Sequence, residues 1–359
     1  MGTTNNLNVS FLDWANRLDP DGKVSKIMEI LNMYNGILDD FSAVEGNLPT
    51  GHRTTVRSGL PLPTWRRLYG GVLPSKSTTV QVTDSCGMLE AYSEIDKALA
   101  DLNGNLQEFL LSESGPFLEG MAQEASRALF YGDETVQPAA FTGLAPRYST
   151  KTIANAQNAF NVIDFLAASG GSGTSNQYVS AWLAVWSPNT IAGIFPKGSK
   201  AGFYSEYKGQ VTLENADQTT IGTGRMEAYR THFRWDLGLS LRDWRYISRV
   251  CNIDTTSATG GLLDATKAGQ KALVVAMIQA AERIPNLQAG KATWYVPRAV
   301  REALRLGVVA NIGQNLTWDT VAGQRVMMFD GIPVKRVDVL NTANESAQVG
   351  SWVSNGKLS

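Results

Sequence analysis

The chain has 359 residues, of which 43% are hydrophobic and 18% charged, and its formal net charge is −1 at pH 7. A charge this close to zero gives no long-range attraction to nucleic acid or to an anionic membrane. We expect no signal peptide and no membrane span, because no basic start precedes an apolar run and no apolar stretch approaches about 18 residues. The lone cysteines Cys86 and Cys251 are typical of reduced thiols in a cytoplasm. Nine tryptophans in a chain of low charge favour an obligate oligomer, with a large monomer as the alternative.

The first fifty residues predict an arm followed by a helix. Residues 1–20 are polar and irregular, with Trp14 among a few apolar anchors. From Asp21, which can cap a helix, apolar residues recur at three- and four-residue steps as far as Phe41. We expect an amphipathic helix that ends before Gly46.

Residues 51–86 predict a long two-stranded ribbon. β-prone runs at 52–58 and 77–83 flank a middle segment rich in proline and glycine. Arms of about 15 residues would reach about 50 Å, whereas a compact chain of this length has a radius of gyration of about 20 Å. We infer that the ribbon lies on another surface, which we expect to be that of another subunit.

Two helices are expected after the ribbon. The segment MLEAYSEIDKALADL (88–102) places apolar side chains on one helical face, and a second helix is predicted to begin near Pro116 and to run to Leu129. The next segment, LFYGDETVQPAAFTGLAPRY (129–148), contains four aromatic residues and no evident chemistry. We expect it to lead from the helix into a strand.

A sheet is predicted in the middle of the chain. The apolar run VSAWLAVWSP (179–188) indicates a buried strand, and residues 233–241 alternate between apolar and polar, with Trp235 on the apolar phase. The phase slips at Arg242–Asp243, which predicts a bulge or turn. After the slip, Trp244 shares a face with Tyr246 and Val250.

The C-terminal third predicts a second mixed unit. After the Thr/Ser/Gly stretch 255–261, the pattern predicts a helix from Asp264 to Ile284, a strand over 293–296 and a helix opened by Pro297. A hairpin follows, with Asp330–Gly331 as its two-residue turn. The whole is α+β, with helices and antiparallel strands segregated.

The sequence offers no recognisable catalytic, cofactor-binding or metal-binding site. His52 and His232 lack partners at metal-ligand spacing, and no local signature supports a nucleophile system. The glycine-rich stretch 169–177 lacks the ending of a phosphate-binding loop and indicates a flexible loop. The acidic pairs Asp39–Asp40 and Asp133–Glu134 are interpreted as solvated helix ends.

Five arginines lie among aromatic residues between 229 and 250, a pattern that single-stranded nucleic-acid sites also use. They are Arg230, Arg234, Arg242, Arg245 and Arg249. The aromatic residues fall on the apolar phase of the strand, and Asp236 and Asp243 dilute the charge. A packed sheet with arginine ion pairs is therefore the favoured interpretation.

The order of these parts resembles the major capsid proteins of tailed double-stranded DNA bacteriophages, in the branch common among short-tailed phages. Five segments carry the resemblance in the expected order: EGNLPTGHRTTVRSGLPLPTWRRLYGGVLPSKSTT, GMLEAYSEIDKALADLNGN, the pair LFYGD and FTGLAPRY, VWSPNTIAGIFPKGSKAG with YRTHFRWDLGLSLRDWRYISRVCNID, and DGIPVKRVD. The resemblance as a whole covers most of residues 10–345.

The resemblance implies the common tailed-phage capsid fold. Its parts would be an N-terminal arm and helix (1–50), an extended loop ribbon or E-loop (51–86), a spine helix with a peripheral domain sheet (87–254), and an axial domain with the C-terminus (255–359). Gly132 and Gly143 would serve backbone geometry at the exit of the spine helix. Other structural positions would be Trp235, Trp244, Gly331 and Pro333.

The resemblance also implies a function and partners. The chain would form pentameric and hexameric rings in an icosahedral shell around packaged DNA, assembled in the host bacterial cytoplasm. Because no long helical extension precedes the arm, a separate scaffolding protein is expected, besides a portal protein, a possible decoration protein and weak, non-specific DNA contact. The expected intersubunit residues are Trp14, Arg53, Arg57, Pro61, Trp65, Arg66, Arg67, Tyr69 and Lys76.

Three alternatives stay open from the sequence alone. A cellular nanocompartment shell shares this fold and would need a cargo-peptide site. A nucleic-acid-binding protein would use the arginines between 230 and 249. An enzyme is the third alternative. Lys76 is the only lysine between 51 and 83, but no motif for a lysine–asparagine cross-link accompanies it, so we expect no covalent link between subunits.

Overall fold

Thirteen strands and six helices lie within the residues that the structure, a computed structural model, describes: 33, 35–101, 106–154, 156–169, 177–214, 224–256, 260–264, 267–309, 316–321, 324–342 and 345. The strands are β1 (Ala43–Glu45), β2 (Gly51–Gly59), β3 (Thr78–Asp96), β4 (Val162–Asp164), β5 (Tyr178–Trp186), β6 (Ile191–Phe195), β7 (Phe203–Glu214), β8 (Arg225–Leu241), β9 (Ile247–Asp254), β10 (Lys291–Val296), β11 (Leu316–Val321), β12 (Gln324–Phe329) and β13 (Ile332–Arg336). The helices are α1 (Lys97–Ala100), α2 (Leu106–Tyr131), α3 (Leu144–Arg147), α4 (Phe165–Ser169), α5 (Ala268–Glu282) and α6 (Arg298–Val309).

The chain divides into two units that do not follow the four parts expected from the sequence. The first unit contains Met88–Ala125 and Gly202–Asp236, and the second contains Tyr34–Gly87, Ser126–Ala201 and the chain from Leu237 onward. Strands β3 and β8 and helix α2 each begin in one unit and end in the other. The four-part division by capsid domain stays a prediction.

The first unit is built on long antiparallel strands. Strand β8 has β7 on one side, in register from Phe203↔Trp235 to Glu214↔Arg225, and β3 on the other. Where β3 leads into α1, Ile95 and Leu99 are buried together with Phe109 of α2. Phe117 of α2 stacks on Phe233 of β8 with ring centroids 5.3 Å apart.

The second unit is organised around β5, in which all nine residues are buried. Strand β5 pairs antiparallel with β10 and with β9. Strand β10 pairs in parallel with β13, and β4 pairs in parallel with β9, so the sheet is mixed rather than antiparallel throughout. A strand buried on both faces reads as a continuous apolar run, which is how the sequence 179–188 predicted it.

Helix α5 covers this sheet with a buried stripe of small and aliphatic side chains. Leu273, Ala276, Met277 and Ala280 are fully buried in the same cluster as residues of β5 and β10. Burying one such leucine or methionine contributes about 1.5–3 kcal/mol, so this layer supplies much of the stability of the unit.

The C-terminal elements follow the sequence prediction closely. Helix α5, strand β10 and helix α6 lie where the pattern placed them, and Asp330–Gly331 connects β12 to β13. Both turn residues have positive φ, 51° for Asp330 and 75° for Gly331, as a type I′ hairpin turn requires. The turn expected at Arg242–Asp243 is also present between β8 and β9, with a single 3-10 turn at Trp244–Tyr246.

The helix predicted over residues 88–102 is wrong for most of its length. Residues 88–96 continue strand β3, and only α1 is helical. The apolar residues fit a helical face, but Ser93 and Ile95 are buried and alternate with Tyr92 and Asp96, which are exposed. Pairing with β8 decides the outcome, because tertiary context overrides local propensity.

The predicted start of the second helix and its exit are also wrong. Helix α2 begins at Leu106, about ten residues earlier, and Pro116 lies inside it. After α2, residues 132–143 form turns and α3 follows at Leu144, so no strand occurs there. At about 1.5 Å per residue, α2 is about 39 Å long.

The N-terminal helix falls largely outside the described residues. Where the structure resumes, residues 36–40 form turns and β1 follows at Ala43, so the helix does not reach Phe41. Trp14 and the glycine-rich stretch 170–176 also lie outside the described residues.

Candidate intersubunit interface

Strands β2 and β3 form the ribbon expected from the sequence. They pair antiparallel from Gly51↔Ser85 to Gly59↔Thr78, with a register shift between Arg57 and Gly59. Nine residues of β2 span about 30 Å at roughly 3.3 Å per residue. Most of the ribbon's polar side chains are exposed, so its strands do not supply a core of their own.

The ribbon tip, residues 60–77, exposes an unusual amount of apolar surface. Trp65 and Tyr69 are fully exposed, at 104% and 101% of their reference areas. The other exposed large apolar residues of the tip are Leu60, Leu62, Leu68, Val72 and Leu73. Contiguous exposed apolar surface of this kind marks an interaction site.

A tight turn shapes the tip. The Gly70 amide donates to the Arg67 carbonyl over 3.1 Å, and the Arg66 Nε donates to the Gly70 carbonyl over 2.8 Å. Tyr69, the third residue of this turn, has φ of 62°. A tyrosine in the left-handed region costs about 1–2 kcal/mol relative to ordinary backbone. Strain of this kind clusters where a segment binds something.

The base of the ribbon is fixed to the rest of the second unit by polar contacts at and beside the buried Asp84. The buried carboxylate of Asp84 accepts from Arg147 Nη1 over 2.8 Å and from the Leu241 amide over 3.3 Å. Ser85 Oγ donates to Glu134 Oε2 over 2.6 Å. A Cβ atom on Gly51 would lie 2.0 Å from the Asp84 carbonyl oxygen, so only glycine fits this crossing.

A histidine–arginine contact lies at the same base. The Nε2 of His52 is 2.9 Å from Arg242 Nη2. Burial, and then the positive charge of Arg242, lower the pKa of His52, while Asp84 acts in the opposite direction. The lowered pKa favours the neutral imidazole at pH 7, to whose Nε2 the Arg242 guanidinium can donate a hydrogen bond.

The predicted contact residues of the ribbon are all exposed, and two of them also hydrogen-bond within the ribbon. Arg53 Nε donates to Thr83 Oγ1 across the two strands over 3.3 Å, and Arg66 closes the tip turn. Arg57, Pro61, Trp65, Arg67, Tyr69 and Lys76 are exposed. Their role between subunits stays a prediction.

The two glycines singled out in the exit segment lie against each other. The Gly143 amide donates to the Gly132 carbonyl over 2.8 Å. A Cβ atom on Gly132 would lie 2.5 Å from the Phe141 carbonyl oxygen, and one on Gly143 would lie 2.5 Å from that of Ala128. Close backbone packing at the end of α2 therefore requires glycine at both positions.

The other structural positions are less buried than a core role suggests. Trp235 and Trp244 are half-buried, and Trp244 lies in the 3-10 turn rather than on a strand face with Val250. Pro333 pairs with Met328 in the β12–β13 hairpin. His232 of β8 is buried, and its ring stacks on that of Tyr92 with centroids 4.5 Å apart.

The five arginines that suggested nucleic acid are held by contacts within the protein. Arg230 pairs with Glu94 over 2.7 Å, and Arg234 pairs with Asp236 over 2.9 Å. Arg245 pairs with Asp243 over 2.7 Å. Arg242 contacts His52, and Arg249 pairs with Glu345 inside the protein. These contacts support the ion-pair interpretation of the pattern.

Three buried polar clusters escaped the sequence analysis. They are Asp84 with Arg147, Asp40 with Lys291 and Lys335, and Arg249 with Glu345. Each joins residues at least 63 positions apart in the chain, so no local motif marks them. Asp40 is buried, which corrects its interpretation as a solvated helix end.

The described residues offer little for catalysis. Within them, no group of three or more His, Cys, Asp or Glu side chains could hold a metal ion. Burial raises the pKa of Cys251 to about 12, which makes its thiol a poor nucleophile. No helix among the described residues is long and apolar enough to cross a membrane.

Comparison with known proteins agrees with this geometry. The family model described as major capsid protein GP7 matches residues 19–349. The near-atomic-resolution cryo-EM structure of bacteriophage Epsilon15 is 32% identical, with a TM-score of 0.69 over 97% of this chain and 100% of that chain. No curated protein matches the sequence significantly.

Two further capsids are more distant. The bacteriophage JBD30 capsid is 10% identical over 89% of this chain and 96% of that chain, with a TM-score of 0.44. The capsid of the native GTA particle is 12% identical over 68% of this chain and 99% of that chain, with a TM-score of 0.41.

The fold, the family match and the similarity to the Epsilon15 structure define a class of protein, the structural subunits of tailed-phage shells. Within this class, the chain belongs to the family of major capsid protein GP7. It is a component of the virion and assembles with copies of itself into an icosahedral shell. The nanocompartment and nucleic-acid-binding alternatives are not supported.

Proposed function

We propose that the ribbon, residues 51–86, clasps a neighbouring subunit in the shell and thereby joins subunits into pentameric and hexameric rings. The observation that carries this proposal is the ribbon tip, where Trp65 and Tyr69 are fully exposed beside further apolar side chains. Buried tryptophan and tyrosine dominate the energetics of most protein interfaces. A ribbon on one subunit that docks on a different surface of the next makes a heterologous contact, which closes into rings.

The contacts at the ribbon base support this role. Because Asp84, Arg147 and Glu134 fix the base, the ribbon loses little additional freedom when its tip binds. Preorganisation of this kind reduces the entropic cost of association. The strained turn at Tyr69, closed by hydrogen bonds of Arg66 and Arg67, fixes the backbone that presents the tyrosine.

The charged residues of the ribbon would form the rim of the contact. Arg57, Arg67 and Lys76 are exposed near the apolar tip. Rim charges fix orientation and raise association rates more than they raise affinity. They are therefore expected to match acidic side chains on the neighbouring subunit.

Further partners follow from family membership rather than from contacts of the described residues. We include a separate scaffolding protein, a portal protein, a possible decoration protein and weak, non-specific contact with packaged DNA. Assembly would take place in the host bacterial cytoplasm, where the two cysteines stay reduced. We also propose that the protein has no enzymatic activity.

Substitution of the exposed aromatic residues tests the role of the tip. The double variant Trp65→Ala/Tyr69→Ala, and a deletion of residues 60–74, should leave the fold intact, because these side chains are exposed in the subunit. Both should fail to form shells. Thermal unfolding measures the fold, and electron microscopy of the expressed protein measures assembly.

The control is Leu111→Ala, which removes an exposed apolar side chain of α2 outside the ribbon. It should fold and assemble like the wild type. Normal shells from the deletion variant would rule out the ribbon as an intersubunit element.

A further inference from the structure

A cavity of about 460 Å³ in the second unit is lined almost entirely by charged side chains. Its lining comprises Arg298, Arg301, Glu302, Arg305, Leu306 and Arg336. The volume falls within the range of about 300–1,000 Å³ that is typical of ligand sites. The ribbon and its proposed role do not involve this cavity.

The positive charge of the cavity exceeds what its own carboxylates neutralise. Arg336 is paired with Asp338 over 2.5 Å. Among the ion pairs of the described residues, none includes Arg298 or Arg301. Among the described residues, the buried Nε of Arg301 is one of several polar atoms for which no hydrogen-bond partner is found. Since buried donors are almost always satisfied, this atom indicates a missing acceptor.

Two of the cavity's arginines lie at an end of α6 where positive charge is unfavourable. Arg298, Arg301 and Arg305 lie at i, i+3 and i+7 and so share one face of α6. Two of them fall at the N-terminal end of the helix, where the helix dipole favours negative charge, and the first turn has no acidic residue. A bound anion would relieve this unfavourable charge at the start of the helix.

We propose that this cavity binds phosphate groups, held by the guanidinium groups of Arg298 and Arg301 with Arg305 beside them. Guanidinium groups match the oxygens of phosphate with paired hydrogen bonds. An acidic protein segment is the less favoured ligand. Protein interfaces bury apolar and aromatic side chains at their centre, whereas Leu306 is the only apolar residue of this lining.

Two kinds of ligand carry phosphate groups that would fit this cavity: the backbone of a nucleic acid and a free polyphosphate. Isothermal titration of the full chain with sodium tripolyphosphate and, separately, with a short DNA duplex distinguishes them. The variant Arg298→Gln/Arg301→Gln should bind tripolyphosphate at least about tenfold more weakly than the wild type, because each charged hydrogen bond lost costs about tenfold or more. If the double variant also binds the duplex more weakly than the wild type does, the natural ligand is a nucleic acid backbone. If the wild type does not bind the duplex, the natural ligand is a free polyphosphate.

The control variant is Arg225→Gln, which removes the same charge from an exposed position of β8. It should bind both probes like the wild type. Equal affinities of all three proteins, or tighter binding of a glutamate-rich peptide than of either phosphate probe, would overturn the proposal. If the double variant does not fold, Arg298→Gln alone, at an exposed position, is held to the same criterion.

Discussion

At the scale of single residues, the second unit contains an ion pair that is almost completely excluded from solvent. The side chains of Arg249 and Glu345 are 3% and 2% exposed. Arg249 also donates to the Tyr148 carbonyl over 2.8 Å and lies over the Trp182 ring at 4.8 Å. Ser180 donates to the same carboxylate over 2.5 Å. Every polar atom of the pair is thus engaged by neighbours, as a buried charge requires.

The variant Glu345→Ala should lower the free energy of unfolding by about 3–5 kcal/mol, because it leaves a buried arginine without its counter-charge. Denaturant or thermal unfolding measures the loss. Replacing both partners, in Arg249→Met/Glu345→Leu, should recover much of it. The exposed pair Arg225–Glu214 provides a control, since Arg225→Ala should cost at most about 1 kcal/mol. An unchanged melting temperature in Glu345→Ala would contradict the role of the pair.

The buried carboxylate of Asp40 makes the stability of the protein depend on pH. Burial raises the pKa of Asp40, but hydrogen bonds from Lys291, Lys335 and Tyr295 outweigh it and hold the pKa below 3.8. Because its pKa is lower in the folded than in the unfolded protein, the ionised Asp40 stabilises the fold above pH 3.8. This stabilisation is lost as the pH falls through the pKa that Asp40 has in the folded protein.

The variant Asp40→Asn should therefore lower the free energy of unfolding by about 1–3 kcal/mol near neutral pH, because it removes charge-assisted hydrogen bonds. The difference from wild type should shrink as the pH falls below 3.8. Melting curves across the acid range measure it. Asp39→Asn is the matched control, since Asp39 is exposed, and it should show little effect. A difference that is constant with pH would refute the linkage.

At the scale of elements, one glycine within helix α2 and one just after it should respond in opposite ways to replacement by alanine. Gly120 lies in its exposed interior, where an added Cβ would have no atom within 4 Å. Gly132 lies just past its end, where an added Cβ would be 2.5 Å from the Phe141 carbonyl oxygen and 2.6 Å from that of Ala128. The same substitution thus meets open space at one position and backbone at the other.

Gly120→Ala should stabilise the protein by about 0.5–1 kcal/mol, because alanine loses less backbone freedom in a helix. Gly132→Ala should destabilise it, since backbone atoms cannot move aside as a flexible side chain can. Thermal unfolding of the two variants side by side measures the contrast. Equal effects of the two substitutions would show that the exit from α2 tolerates a side chain.

Strand β3 explains where prediction from the sequence failed at this scale. Its second half carries apolar residues at helical spacing, yet Glu90 and Glu94 face His232 and Arg230 of β8. Cross-strand pairs of this kind stabilise a sheet, but they join residues more than 130 positions apart. Periodicity alone therefore cannot tell that such a segment is a strand, because the partner strand that decides this lies far away in the sequence.

At the scale of the whole molecule, regular patterns and the order of parts could be predicted, and long-range contacts could not. The ribbon, the buried strand β5 and the Asp330–Gly331 turn each carry a local signal in composition or periodicity. The Arg147 contact to Asp84 at the ribbon base does not, because the partners are 63 residues apart. The resemblance to capsid proteins rested on the order of several weak motifs, and the family match supports it.

The absence of a cross-linking motif around Lys76 gives a prediction for the assembled particle. Shells that are dissolved in denaturant and run on a denaturing gel should release only monomers, because no covalent bond is expected between subunits. Lys76→Arg should give the same gel. Ladders of multimers that disappear in Lys76→Arg would demonstrate a cross-link.

The exposed tip of the ribbon has a consequence for particles that are kept cold. Contacts formed by tryptophan, tyrosine and leucine side chains depend on the release of water, and this driving force fades as temperature drops. Shells whose subunits are joined mainly through the tip would then loosen on ice and tighten again on warming, in contrast to assemblies held by salt bridges.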